Sequence, residues 1–219
     1  MLILVLDAST PVVAVALAKD REVRAEISTS ARNASEVLLP AIDAGLSLVG
    51  EDLTCVERLL VGVGPGTFTG IRIAAATARA LSLGTGAALS MNSTLAALAA
   101  PALSCQEEVL AVLDARRGQV FAQRFSGVGP TTEISCVRPE DLSAQDAPLI
   151  VGDGAVRYRG ELSAVGPIPP DDSPLHRVTA TGHVLSADLA PVSAEELVPI
   201  YVREPDAEVR RDLNPWSRS

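Results

Sequence analysis

A glycine-rich turn between an apolar strand and a helix is the stretch of this sequence best suited to chemistry. Residues 59–61 are apolar, glycines follow at positions 62, 64, 66 and 70, and an alanine-rich segment begins at Ile71. Glycines permit tight turns and let another group approach the backbone closely. Because backbone N–H groups at a helix N-terminus attract negative charge, the turn is a candidate anion site with Gly64 and Gly66 at its centre.

Two common phosphate-binding patterns do not fit this turn. A Walker loop has Lys and then Ser or Thr after its last glycine, but here Gly70 is followed by Ile71 and Arg72. The dinucleotide-binding fingerprint spaces its last glycine differently and needs an acidic residue about 20 residues further on. The alternatives that stay open are an unusual anion site and a turn with a purely structural role.

The helix predicted after this turn carries mostly alanine. Small side chains let another helix come close, so residues 71–83 are expected to form a buried helix. Arg72 and Arg79 lie seven residues apart and therefore share one stripe of the helix. That stripe either faces solvent or faces a partner.

Two aspartates end apolar segments of strand length and precede turns. Asp7 follows residues 2–6 and precedes Ser9 and Thr10, and Asp114 follows residues 109–113. Asp, Ser and Thr at such positions commonly hydrogen-bond their own turn. The repeated order of strand, aspartate, turn and strand indicates two similar halves.

Composition limits the class of protein. The chain has 219 residues, of which 47% are hydrophobic and only 3% aromatic, as in a globular protein with an aliphatic core. Its net charge of −9 disfavours binding to nucleic acid without a partner. The three cysteines are widely spaced, which is typical of free thiols and not of a zinc site. Residues 1–10 fit a strand better than a signal peptide. No apolar run is long enough to span a membrane. We therefore expect a cytoplasmic protein with free thiols and no zinc.

Four segments resemble signatures of the TsaB (YeaZ) family, whose members are required for threonylcarbamoyladenosine modification of tRNA. They are RNASEVLLP at 32–40, GPGTFTGIRI at 64–73, GDGA at 152–155 and PIYVREPDAE at 199–208. The second is long and unusual, and the four occur in order along most of the chain. One departure is Ala34, where the family commonly has a histidine.

The resemblance implies an α/β fold of two actin-like domains (ASKHA superfamily, RNase H-like), with mixed sheets flanked by helices. The expected domains are residues 1–103 with the partner-facing helices, a smaller domain at 104–208 whose end could return to the first, and a tail at 209–219. In that superfamily the first strand and its aspartate form a phosphate loop. The residues that resemble a degenerate nucleotide or anion site are Asp7, Ser9, Thr10, Gly64, Gly66 and Asp114.

The function that the resemblance implies is that of a non-catalytic subunit. It would pair with TsaD, joined by the ATPase TsaE, while TsaD transfers the threonylcarbamoyl group from threonylcarbamoyl-AMP to N6 of adenosine 37 in tRNAs reading ANN codons. Contact with tRNA would occur only through the complex, the isolated chain would form a homodimer, and no cofactor is implied except ATP or ADP with Mg at the assembled complex. The interface is expected on the helices at 35–49 and 70–84, at Ser35, Leu38, Ile42, Ile71, Arg72, Ala75, Ala78 and Arg79.

No catalytic residue or metal ligand is expected. TsaD binds its metal through an HxxxH pair, whereas the histidines here are His176 and His183, neither of them near the glycine turn in sequence. The alternative function is an actin-like ATPase or kinase that uses Asp7 and Asp114 around Mg-ATP. A glycoprotease-like hydrolase and a purely structural homodimer are weaker alternatives, the first because it lacks a metal site or triad.

Overall fold

The computed structural model describes residues 1–30, 33–143 and 148–202. The strands are β1 Leu2–Asp7, β2 Val12–Lys19, β3 Glu22–Ser30, β4 Arg58–Gly62, β5 Ala88–Asn92, β6 Glu108–Arg116, β7 Gln119–Ser126, β8 Gly129–Pro130, β9 Ser135–Val137 and β10 Leu149–Val151. The helices are α1 Ala34–Val49, α2 Phe68–Thr85, α3 Thr94–Leu103, α4 Asp153–Arg157, α5 Arg159–Leu162 and α6 Ala180–Ser186. Short 3-10 turns occupy Leu53–Cys55, Pro139–Asp141 and Pro174–His176.

The strands form two mixed sheets, which confirms the predicted α/β fold. The first sheet has the order β3-β2-β1-β4-β5, with an antiparallel meander of β1 to β3 and with β4 and β5 parallel to β1. The second has the order β10-β6-β7-β8, and β9 also pairs with β7. In both sheets the first strand forms a hairpin with the next and lies parallel to a later one.

The continuous apolar sequence of β1 is explained by burial on both faces. Leu4 and Leu6 belong to the core formed with α1 and α2, whereas Ile3 and Val5 belong to the core formed with α6. Successive side chains of a strand point to opposite faces, so a strand covered on both sides needs apolar residues at every position. The strand predicted at residues 2–6 is thereby confirmed.

Helix α1 begins where the sequence predicts. The Asn33 side chain accepts a hydrogen bond from Ser35 N and donates one to Glu36, and Gly50, with φ 68°, ends the helix in the left-handed conformation. The helix starts at Ala34 and contains Pro40 in its second turn.

Helices α3 and α6 cross very closely and connect the two halves. A Cβ at Gly182 of α6 would lie 2.1 Å from the carbonyl oxygen of Ala97 in α3. That oxygen has no helical donor, because the residue four positions later is Pro101. Helix α3 continues past Pro101 to Leu103.

The two helices also pack away from their predicted domains. Helix α3, placed by sequence in residues 1–103, contributes Leu95 and Leu98 to the core of the second sheet. Helix α6, placed in residues 104–208, contributes Ala180 and Val184 to the core of the first sheet. The domain boundaries remain a prediction, and the tail at 209–219 lies outside the part of the chain that the structure describes.

Candidate functional site

A cleft of about 390 Å³ is lined by residues from both halves. Ser9 and Thr10 line it from the first half, and Asp114 lines it from the second. Ile200 and Val202 also line it; Ile200 packs against the first core and Val202 against the second. The C-terminal segment therefore connects the halves at the cleft.

Asp7 is buried beneath this cleft. Its side chain is 1% exposed, and its Oδ1 accepts hydrogen bonds of 2.6 Å from both Ser9 N and Ser9 Oγ. Its Oδ2 accepts a hydrogen bond from Thr94 Oγ1 at 3.1 Å and lies 2.6 Å from His183 Nε2. Hydrogen bonding within the turn, one of the sequence-based interpretations, accounts for only half of these contacts.

His183 is the partner that the sequence did not reveal. It is fully buried, and its Nδ1 lies 3.2 Å from Asn92 Nδ2. Because an amide nitrogen only donates, Nδ1 accepts and the ring proton sits on Nε2, facing Asp7. His183 is far from the glycine turn in sequence, but Asp7, which it contacts, packs directly against Gly62. Only the fold brings together two residues 176 positions apart.

The surroundings of Asp7 favour its charged form. Burial acts to raise its pKa, but the contact with His183 and the two Ser9 hydrogen bonds outweigh burial, so the pKa of Asp7 lies below its usual value. The carboxylate is thus a fully engaged buried anion.

The glycines of the turn permit close packing onto this network. A Cβ at Gly62 would lie 2.0 Å from Asp7 Oδ2, and one at Gly66 would lie 2.1 Å from Ser9 O. The N–H of Thr67 donates to Ser9 O at 2.6 Å. These contacts give the turn a structural role, while an anion site at Gly64 and Gly66 remains a prediction.

Asp114 occupies the corresponding place in the second half but remains at the cleft. Its side chain is 6% exposed, and its Oδ2 lies 3.3 Å from Nη1 of both Arg116 and Arg157. Its Oδ1 accepts a hydrogen bond from Arg116 N at 2.9 Å. Asp153 Oδ1 accepts one from Asp114 N at 3.0 Å, and burial, together with the negative charge of Asp114, raises the pKa of Asp153.

Arg72 and Arg79 hold the C-terminal segment against α2. Arg79 Nη2 donates to Leu197 O at 2.6 Å, and Arg72 Nε donates to Tyr201 Oη at 3.1 Å. The Arg72 guanidinium also lies 3.6 Å from the centre of the Phe68 ring. The arginine stripe is therefore occupied by this chain's own segment, a possibility that the sequence did not suggest.

The side chains named for a partner interface require a correction. Five of them are buried in this chain's own core, at 7% exposure or less: Leu38, Ile42, Ile71, Ala75 and Ala78. The alanine-rich face of α2 packs against the first sheet, so these residues cannot contact a partner. Of the eight, Ser35 and Arg72 are exposed and Arg79 is half-buried.

The exposed sides of the same helices carry large apolar residues. Leu39 and Leu48 of α1 are 56% and 72% exposed, and Leu83 of α2 is 87% exposed. Both helices pack on one face of the first sheet. Leu83 lies on the side of α2 that faces away from the sheet, while Leu39 and Leu48, nine positions apart, lie on opposite flanks of α1. We call these three residues the leucine surface.

Within residues 1–30, 33–143 and 148–202, no three His, Cys, Asp or Glu side chains lie close enough to hold a metal ion. Over the same ranges no helix is long and apolar enough to cross a membrane.

The two mixed sheets, with an aspartate near the end of the first strand of each, define an α/β protein of the actin-like fold. A solved structure of the ethanolamine utilization protein EutJ from Carboxydothermus hydrogenoformans superposes with a TM-score of 0.54 at 12% identity, over 84% of this chain and 89% of that one. This likeness shows the fold alone.

Closer similarities define the family. Residues 25–144 match the family model described as "TsaD: tRNA N6-adenosine threonylcarbamoyltransferase". The Escherichia coli tRNA threonylcarbamoyladenosine biosynthesis protein TsaB is 33% identical over 168 residues, which is 76% of this chain and 71% of that protein. YeaZ from Pseudomonas aeruginosa superposes with a TM-score of 0.77 at 26% identity, over 91% of this chain and 99% of that one. The chain therefore belongs to the family that this model describes and, within it, to the TsaB (YeaZ) proteins.

Proposed function

We propose that this chain is the non-catalytic subunit that pairs with TsaD in threonylcarbamoyladenosine biosynthesis in the cytoplasm. In this role it supports transfer of the threonylcarbamoyl group from threonylcarbamoyl-AMP to N6 of adenosine 37 in tRNAs reading ANN codons. The name of the E. coli relative and the match to a transferase family model support the pathway. TsaE joins the assembly, and any ATP or ADP with Mg binds at the assembled complex.

The leucine surface is the observation that best supports pairing of this chain with TsaD. Leu48 and Leu83 leave most of their side chains in solvent, although apolar groups of this size are stabilised by burial. Neighbouring exposed residues Ala76 and Ala80 on α2 are small, so a partner helix can approach the backbone. Exposed apolar side chains beside small residues are typical of a helix-packing interface.

The state of Asp7 supports a subunit without its own ATPase activity. An actin-like ATPase would need this carboxylate to face a metal–nucleotide complex, yet it is 1% exposed and contacts His183 instead. Asp114 is at the cleft but already pairs with two arginines. The ATPase alternative therefore lacks one of the two aspartates on which it depends.

The experiment combines purified TsaD and TsaE with this chain or with variants, and measures both complex formation and transfer to tRNA. Leu83→Glu places a charge on the leucine surface, and Val128→Glu is the matched control because Val128 is 97% exposed in the turn between β7 and β8. We expect Leu83→Glu to weaken the complex at least tenfold and to reduce transfer, with Val128→Glu unchanged. Full transfer without this chain, or ATP hydrolysis by this chain alone, would overturn the proposal.

The same surface accounts for a homodimer of the isolated chain, since a closed symmetric dimer would bury the leucines of both copies. Sizing of the isolated chain should show a dimer that Leu83→Glu converts to monomer and that added TsaD replaces by the heterodimer.

A further inference from the structure

Three arginines of the second half lie at the cleft or next to residues that line it. Arg116 lines the cleft, Arg117 is exposed next to it at the tip of the β6–β7 hairpin, and Arg157 lies at the end of α4. Arg116 and Arg157 each lie 3.3 Å from the same carboxylate oxygen, so their guanidinium groups are close neighbours. We call these three residues the arginine cluster.

The charge that this cluster presents to solvent is positive. The side chains of Arg116 and Arg157 are 62% and 56% exposed, whereas the Asp114 carboxylate between them is 6% exposed. Asp153 is half-buried and lines the same cleft beside Asp114. The cluster therefore presents exposed guanidinium groups in front of two more deeply placed carboxylates, in a chain whose overall charge is −9.

The equivalent hairpin in the first half also carries an arginine, but its guanidinium is directed at a different part of the molecule. Arg21 occupies the β2–β3 turn with φ 68°, and Arg116 and Arg117 occupy the β6–β7 turn with φ 64° and 55°. Arg21 is used structurally, since it donates to the carbonyls of Val184 and Ala187 at the end of α6. In the second turn the Arg116 guanidinium instead pairs with Asp114 and lies at the cleft.

We propose that the arginine cluster binds the phosphodiester backbone of the tRNA held by the complex with TsaD. The inference rests on the proposed function, which makes tRNA the substrate of the assembly. Guanidinium groups match phosphate oxygens in geometry and charge. Because the rest of the chain repels RNA, a local positive surface would orient the tRNA as well as bind it.

The test uses the heterodimer with TsaD and labelled tRNA, with affinity measured between about 50 and 200 mM salt. Arg117→Glu combined with Arg157→Glu reverses two charges of the cluster. The matched control combines Arg24→Glu with Arg138→Glu, since these side chains are 54% and 71% exposed elsewhere and each also pairs with a carboxylate. We expect the cluster variant to bind at least tenfold more weakly, and the slope of log affinity against log salt to fall by roughly 0.7 to 0.9 per phosphate contact removed.

The outcomes separate this inference from the proposed function. If wild-type chain forms no heterodimer, the proposed function fails. If the cluster variant forms the heterodimer and binds tRNA with wild-type affinity and salt slope, the inference is wrong. If the variant instead loses TsaD or TsaE while its remaining complex binds tRNA normally, the cluster contacts protein and the inference is also wrong. Thermal melting of both variants checks that each remains folded.

Discussion

The two halves of the molecule contain the same local unit, a strand that leads to an aspartate, a turn and a second strand, but they use the aspartate differently. Asp7 is buried and contacts His183, whereas Asp114 lies at the cleft and contacts two exposed arginines. The difference comes from elements outside the unit: α6 covers the first half, and α4 supplies Arg157 in the second. A repeated sequence pattern therefore predicts a repeated backbone but not a repeated chemistry.

A glycine after the neighbouring parallel strand completes the unit in both halves. A Cβ at Gly62 would lie 2.0 Å from Asp7 Oδ2, and one at Gly152 would lie 2.0 Å from Val112 O. In the first half the close approach presses the backbone against the carboxylate itself. In the second half the Gly152 backbone lies against the backbone of β6 at Val112, so the Asp114 side chain faces the cleft.

The largest expected difference between the halves concerns the aspartates. Asp7→Ala removes the acceptor for Ser9, Thr94 and His183 in a site without solvent, so we expect a loss of about 3–5 kcal/mol in the free energy of unfolding. Asp114→Ala removes mainly ion pairs with exposed arginines, and the expected loss is about 1 kcal/mol. Denaturant unfolding of both variants measures the contrast, and equal losses would contradict it.

The arginines of the two hairpins, Arg21 and Arg116, should also differ in how much they contribute to the free energy of unfolding, but by less than the aspartates do. Arg21→Ala removes two hydrogen bonds to the carbonyls that end α6, at 3.1 and 2.9 Å, and should cost about 1–3 kcal/mol. Arg116→Ala should cost about 0–1 kcal/mol, because its side chain is 62% exposed and Asp114 keeps its ion pair with Arg157. Denaturant midpoints at one temperature decide the order, and a larger loss for Arg116→Ala would show that the second hairpin arginine is structural after all.

The pH dependence of stability should have opposite signs at the two carboxylates. The pKa of Asp7 is lowered in the folded state, so the advantage of wild type over Asp7→Asn is present above the usual aspartate pKa and is lost as pH falls through the folded pKa. The pKa of Asp153 is raised by burial, so its charged form weakens the fold at neutral pH. Asp153→Asn, which keeps the acceptor for Asp114 N, should stabilise at neutral pH, and the gain should vanish in acid.

Unfolding curves from about pH 3 to 7 test these signs. A gain from Asp153→Asn that grows in acid would contradict the direction given for its pKa. An advantage of wild type over Asp7→Asn that persists unchanged to the lowest pH would indicate that hydrogen bonding, not charge, explains the role of Asp7.

Much of the fold could be predicted from the sequence, because the relevant patterns are short. Apolar runs predicted strands that lead to Asp7 and Asp114 in the two halves. The sequence failed at the candidate site for a physical reason. An alanine-rich helix shows that something packs closely on it but not whether this is its own sheet or a partner, and the sheet proved to cover Ala75 and Ala78.

By itself the sequence determined the order of strands and helices, the glycine turn and the repeated aspartates, since each depends on residues close together in the chain. Only the tertiary structure decided that His183 contacts Asp7, that Arg72 and Arg79 hold the C-terminal segment, and that the leucine surface is exposed. These contacts join residues more than 100 positions apart or depend on which helix face a sheet covers. Local periodicity carries no information about either, because it describes a segment and not its neighbours in space.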